Sequence, residues 1–124
     1  MAKTQTVASL KKTLWRHFAR YIKKRDKNIC FTCGKKVEGR NAQAGHYMPK
    51  SACGLEYYYS ETNVHCQCGE CNCFLHGNIP NYRKAIVRKY GKKELETIER
   101  NFRKPYTGDS KAWLLERIAY YKSK

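Results

Sequence analysis

The chain has no apolar run approaching the roughly 18 residues that a membrane-crossing helix needs, which excludes an integral helical membrane protein. Its opening stretch, MAKTQTVASLKK, carries charge with no apolar segment behind it, so no secretory leader is expected and the expected compartment is the cytoplasm. No internal repeat, low-complexity tract or domain-sized linker interrupts the 124 residues, which are expected to form a single domain over 1–124. Acidic residues are scarce. Ten Asp and Glu stand against 26 Lys and Arg, a formal charge of +16, and such a surface repels itself unless it meets a polyanion. With ten Tyr and no lipid-anchor motif, the expected partner is DNA or RNA and not a membrane.

A chain this short has apolar residues for only a modest core, so something else should help hold it together. Seven Cys are present, an odd number clustered in CxxC pairs, and in a reducing compartment such pairs hold metal in preference to disulfides. Cys30-Phe31-Thr32-Cys33 and Cys68-Gly69-Glu70-Cys71 can each turn two thiolates onto one ion, and four sulfurs satisfy a tetrahedral structural zinc site. Gly34 supplies the tight turn of a zinc knuckle. A set drawn wholly from residues 66–73 would leave Cys30 and Cys33 unpaired, so Cys53, Cys66 and Cys73 are expected to be small buried side chains.

Residues 6–27 show a helical period, with Val7, Leu10, Leu14, Phe18, Tyr21 and Ile22 on one stripe. On the opposite side Lys12, Arg16, Arg20, Lys23, Lys24 and Lys27 form a row of cations without an interleaved acid, read as a phosphate-tracking face. The span 28–79 is predicted as the cysteine-bearing part, with short strands and loops to about Ser60 and a helix from near Cys68 to Gly77-Asn78. The span 80–124 is predicted to be helical. Pro80 opens a helix with Tyr82, Ile86 and Tyr90 on one face, ending at Gly91. Leu95, Ile98 and Phe102 mark a third pattern stopped by Lys104-Pro105, and Asp109 or Ser110 can cap a last helix with Leu114, Ile118 and Tyr121 inward. Arg83, Lys84 and Arg88 add cations on the helix after Pro80.

Between the Cys pairs lie Gly45-His46-Tyr47 and Asn63, and just after them Asn72 and His76. This order resembles the HNH endonuclease motif. More narrowly, Ala44-Gly45-His46-Tyr47, Asn63-Val64-His65-Cys66-Gln67-Cys68 with Cys71-Asn72, and Gly77-Asn78 followed by Tyr82-Arg83 resemble the phage NinG (Rap) recombination nucleases over roughly residues 28–91. The resemblance implies an α+β fold: a small zinc-bound treble-clef, or ββα-metal, core with a long N-terminal helix and C-terminal helices. It also implies metal-dependent endonucleolytic cleavage of DNA, particularly branched recombination intermediates such as Holliday junctions or D-loops, in a host cytoplasm. A homodimer would suit paired cuts, although no heptad or long apolar patch identifies an interface.

Phosphodiester hydrolysis needs an activated water, neutralisation of charge on the phosphorane and help for the departing oxygen. Matching the motif makes His46 the general base and gives Asn63 the task of holding His46 or the scissile phosphate. Asn72 and His76, four apart, would point to one side of a helix and grip one divalent cation, Mg²⁺ or Mn²⁺ by the resemblance, although a His ligand leans toward a transition metal. His65 is a further ligand or an orienting group. Gly45 departs from the pattern, because many HNH enzymes place an Asp or His ligand just before the catalytic His. The competing expectations are a non-catalytic, zinc-stabilised DNA- or RNA-binding module and a zinc-dependent protein adaptor.

Overall fold

In the computed structural model, which describes residues 5–124, Thr6 accepts a hydrogen bond from Ser9 N (3.0 Å) and starts helix α1, Val7–Arg25. The opening residues MAKT, on which part of the N-terminal reading rested, lie outside the described residues. Leu10, Leu14, Phe18 and Ile22 are each at most 1% exposed, as the period predicts, while Val7 at the first turn is 37% exposed. The α1 stripe packs with Tyr59, Val64, Leu114 and Tyr121.

Strands β1, Gln43–His46, and β2, Val64–Gln67, pair antiparallel with Gln43 opposite Gln67, Ala44 opposite Cys66, Gly45 opposite His65 and His46 opposite Val64. Side chains alternate across a strand, so Ala44, His46 and Val64 face α1 while Gly45, His65 and Gln67 face the other way. The excursion between the strands carries one turn of helix, α2 (Leu55–Tyr58), and the knuckle ahead of β1 is closed by an isolated bridge between Ile29 and Lys36. Three helices follow: α3 Ile79–Tyr90, α4 Lys92–Asn101 and α5 Ser110–Lys122, the last capped by Asp109 accepting from Ala112 N (3.1 Å). Tyr82 and Ile86 of α3 join Tyr47, Leu95 and Ile98 in a second cluster, and α5 lies along α1. The fold is α+β, with one two-stranded sheet among the described residues and no helix long and apolar enough to cross a membrane.

The predicted helix from Cys68 to Gly77 is instead one wide π-helical turn, Glu70–Phe74, closed by Leu75 N donating to Glu70 O at 2.8 Å. His76, Gly77 and Asn78 then all take positive φ, reversing the chain into α3, and Gly77 N donates to Cys71 O (2.8 Å). Asn72 and His76 therefore do not share a helical face. Two of the spare cysteines also differ from expectation. Cys66 is fully buried, but Cys53 is half-buried and Cys73 is exposed, because the π turn points it outward.

The end of α1 is tied to β2 by a buried ion pair. Arg25 Nε and Asp26 Oδ1 are 2.8 Å apart with side chains 17% and 6% exposed, and Asp26 Oδ2 also accepts from Cys66 N (2.8 Å). Arg25 in turn donates to Glu61 O (2.7 Å) and Val64 O (3.0 Å). Removing one partner strands the other charge in the interior. Asp26→Ala should lower the free energy of unfolding by about 3 kcal/mol in urea titration, and a loss below about 1 kcal/mol would mean that the pair is not the clamp between α1 and β2.

Candidate active site

The sulfur atoms of Cys30, Cys33, Cys68 and Cys71 lie within 4.8 Å of one another, and they come from the knuckle, the end of β2 and the π turn. Gly34, at φ +78°, makes the left-handed turn that brings Cys33 back beside Cys30. Cys33 Sγ approaches Cys68 Sγ to 3.7 Å. Burial resists ionisation of Cys30, yet hydrogen bonding by Thr32 and by backbone N–H groups outweighs it and holds the thiol down to about 6. Burial and the neighbouring sulfurs push Cys33 and Cys68 up, so four thiolates share this space only around a cation. The donor set, its convergence and an N–H···S contact from Asn78 to Cys71 (3.5 Å) fit a structural zinc.

His46, at the end of β1, forms a second centre. Its ring stacks on Trp15 of α1, with centroids 5.3 Å apart and planes 13° from parallel, and meets the edge of Tyr58 at 4.9 Å. Nε2 lies 2.9 Å from Tyr58 O. A carbonyl oxygen only accepts, so Nε2 carries the proton and Nδ1 keeps its lone pair. Burial pushes the imidazole down to about 4, opposed by the bond to Tyr58 and aided by Lys50, so His46 is neutral near pH 7. A cavity of about 270 Å³ brings His46 together with Trp15, Ala44, Lys50, Asn72 and His76. Asn72 and His76 thus reach one cavity by the chain reversal at 76–78, although no common helix face carries them.

His65 sits behind this cavity. It is fully buried, stacked on Phe31 at 3.8 Å, with Nδ1 3.0 Å from Tyr82 Oη and Nε2 2.8 Å from Tyr90 Oη. Tyr82 donates to Gly45 O (2.7 Å), so it accepts from Nδ1–H of His65, and Nε2 accepts from Tyr90. Burial, with Arg25 and Lys89, holds this imidazole well below its ordinary range. Both nitrogens are taken, which excludes the metal-ligand alternative and leaves the orienting one: His65 fixes Tyr82, and Tyr82 fixes the carbonyl just before His46.

The family profile described as "Bacteriophage Lambda NinG protein" matches residues 2–122. The chain belongs to the NinG family. It is similar to the proteins named ninG of Escherichia phage 933W and Escherichia phage lambda, each 32% identical over 82 residues, which cover 65% of this chain and 40% and 39% of those proteins. The ninG protein of Salmonella phage P22 is 31% identical over 80 residues, 64% of this chain and 38% of its own length. The matched stretch thus spans about two fifths of these relatives. No solved structure matches the chain.

Other residues singled out in the sequence are placed as follows in this NinG chain. Asn63 is fully buried, so it does not reach a phosphate. Its Oδ1 accepts from Met48 N (2.9 Å) and its Nδ2 donates to Tyr57 O (3.1 Å). Those bonds pin the chain two residues after His46 and one residue before Tyr58, so Asn63 positions His46 from both sides. Of the predicted cation row, Lys12, Arg16, Arg20 and Lys24 are exposed on α1 and Lys23 is half-buried, whereas Lys27 is exposed in the turn beyond the helix, at φ +55°, and so leaves the row. Arg20 donates to Tyr121 O (3.2 Å) and Lys24 Nζ lies 3.5 Å from Lys124 O. Arg83, Lys84 and Arg88 are exposed on α3.

Sequence reasoning missed Trp15 and Tyr58, the two walls around the imidazole. Trp15 lies off the apolar stripe of α1, and only that displacement could have marked it. Phe74 and Leu75, 81% and 49% exposed beside Asn72 and His76, were also missed; two adjacent apolar residues following a cysteine read as core.

The protein should purify with one zinc per chain, held by Cys30, Cys33, Cys68 and Cys71, and should unfold when a chelator removes it. Metal analysis finding no zinc, or a native circular dichroism spectrum after complete chelation, is the outcome that contradicts this.

Proposed function

We propose that this chain is an HNH-type endodeoxyribonuclease with a treble-clef, ββα-metal core, acting on DNA and preferring branched substrates. The observation that carries the reading is the state of His46: a neutral imidazole, its proton committed to Tyr58 O and its Nδ1 free, in one cavity with Asn72 and His76. A base for water activation needs that state at neutral pH.

In the proposed reaction, His46 Nδ1 takes a proton from water as the oxygen attacks phosphorus. The bond from phosphorus to the departing sugar oxygen breaks, and that oxygen is protonated from solvent. Tyr58 O holds the resulting imidazolium by its Nε2–H, and Trp15 keeps the ring from turning. Asn72 and His76 would hold a divalent cation, Mg²⁺ or Mn²⁺, which supplies charge neutralisation at the phosphorane and at the leaving oxygen. Asn72 suits the task because its Nδ2 is engaged with Gln43 Oε1 (2.8 Å), which leaves Oδ1 as a free acceptor.

The cationic α1 face and Arg83, Lys84 and Arg88 would track the phosphates. Phe74 and Leu75, apolar and exposed between Asn72 and His76 in the chain, suit insertion against unstacked bases, which a branch point offers and a continuous duplex does not. The competing binding-module reading shares the charge but has no use for a half-buried imidazole with a free nitrogen.

His46→Ala should lower cleavage by about 10²- to 10⁴-fold while leaving zinc content and DNA affinity near the parental values. In the parent, kcat/KM should hold as pH falls from 7 and drop only as pH nears the value of about 4 at which the base is protonated. Cleavage by the variant at the parental rate on linear, single-stranded and four-way junction DNA would remove the catalytic assignment.

Binding should be mainly electrostatic. Removing one phosphate-neutralising cation should flatten the slope of log affinity against log salt by about 0.9 on duplex DNA. Lys12, Arg16 and Lys23 have no hydrogen bond to α5 of the kind Arg20 makes, so replacing these three with Ala tests the row without loosening the helix pair. An unchanged slope and affinity would move the DNA-binding surface to α3.

A further inference from the structure

Position 45 has no side chain, and the space beside it is taken. A Cβ built on Gly45 would collide with Gln67 Oε1 and come within 2.7 Å of Asn72 Oδ1. Gln67 is fully buried, and its Oε1 has no hydrogen-bond partner. A buried acceptor without a partner is destabilising, so the atom needs a reason.

Rotation of the amide offers no escape. Gln67 Nε2 donates to Gly77 O (2.9 Å) and to Thr32 Oγ1 (3.1 Å), so a flipped amide would set oxygen against oxygen. Thr32 Oγ1, 3.2 Å from Cys30 Sγ, passes the fixed direction on to the cysteine cluster. Asn72 is equally constrained: its Nδ2 donates to Gln43 Oε1, and Gln43 Nε2 donates to Arg40 O (3.2 Å). Two carbonyl oxygens, each with its direction set by donors already committed elsewhere, therefore converge beside Gly45. Acceptors that face one another require positive charge or a donor between them.

We propose that Gln67 Oε1 is a ligand of the divalent cation at the His46 cavity, acting with Asn72 Oδ1 in place of a side chain at position 45. This rests on the nuclease reading above and names a ligand that it does not include. Oxygen donors suit a hard cation such as Mg²⁺ or Mn²⁺. The set contains no carboxylate, so the ion is held weakly until a phosphodiester adds its own anionic oxygens, and ion and DNA raise each other's affinity.

The test uses the zinc-loaded full chain carrying His46→Ala, so that DNA stays intact. Mn²⁺ is titrated by the electron paramagnetic resonance of the free ion, with and without duplex, and the ¹⁵N side-chain amides are followed by nuclear magnetic resonance. The expected result is one Mn²⁺ per chain beyond the zinc, tighter with DNA, that broadens the Gln67 and Asn72 amides first. Gln67→Met should weaken it by at least about tenfold, the lower bound for even an indirect partner of a metal. If Mn²⁺ binds and the native Gln67 amide stays sharp, the ion sits elsewhere on the chain and the proposal is overturned. That result does not require the variant to fold, and it leaves the nuclease reading standing. Absence of any second ion also overturns the proposal, while the nuclease reading stands or falls separately on cleavage by the parent and by His46→Ala.

Discussion

Four sulfur atoms within 4.8 Å, drawn from two distant stretches of chain, are the constraint from which the rest of the architecture follows. Once the knuckle is pulled onto the end of β2, the frame of β2 is set, and with it which residues face α1 and which face α3. A slip of one residue would exchange the two faces. Phe31 N donating to Cys66 O (2.8 Å) and Asp26 accepting from Cys66 N hold that frame from both sides. His46 then falls opposite Val64 and against Trp15, and Gly45 falls opposite His65.

Hydrogen-bond direction propagates through this frame along two paths that end beside the same residue. One runs from Tyr90 through His65 and Tyr82 to Gly45 O. The other runs from Cys30 through Thr32 to Gln67, whose oxygen lies against Gly45. Every donor and acceptor along them has one assignment, so the backbone entering His46 has little freedom. The charge of +16 acts in the same direction. Lys50 near His46, and Arg25 and Lys89 near His65, add to burial in keeping both imidazoles uncharged.

The sequence was most informative where one residue type has few uses. Two CxxC pairs located the cysteine cluster, and the 3.6 period of α1, α3 and α4 located their buried faces, because burial imposes that period directly. The order of motif residues led to His46, Asn72 and His76, which do meet in one cavity. It misjudged how they meet: the pattern between Cys68 and Gly77 looked helical, whereas the segment that brings Cys68 and Cys71 into one cluster is a wide turn followed by a left-handed reversal. Asn63 was legible as important but not as buried, since an Asn serving backbone and an Asn serving a ligand look alike in a sequence. The roles of Trp15, Tyr58 and Gln67 were not legible, even with Trp15 displaced from the α1 stripe and Gln67 inside a motif stretch, because they depend on contacts between residues far apart in the chain.

The collision built in at position 45 makes residues 45 and 67 a single unit of variation. Room for a side chain at 45 exists only if the ends of Gln67 and Asn72 move aside or are shortened, and either change at 67 gives up its bonds to Thr32 and to Gly77. A lineage moving between a side chain at 45 and a glutamine at 67 must therefore change both together or pass through an intermediate that either clashes or is without those two bonds. The glycine before His46 is one half of an exchange between two strands, and its identity is decided across the sheet.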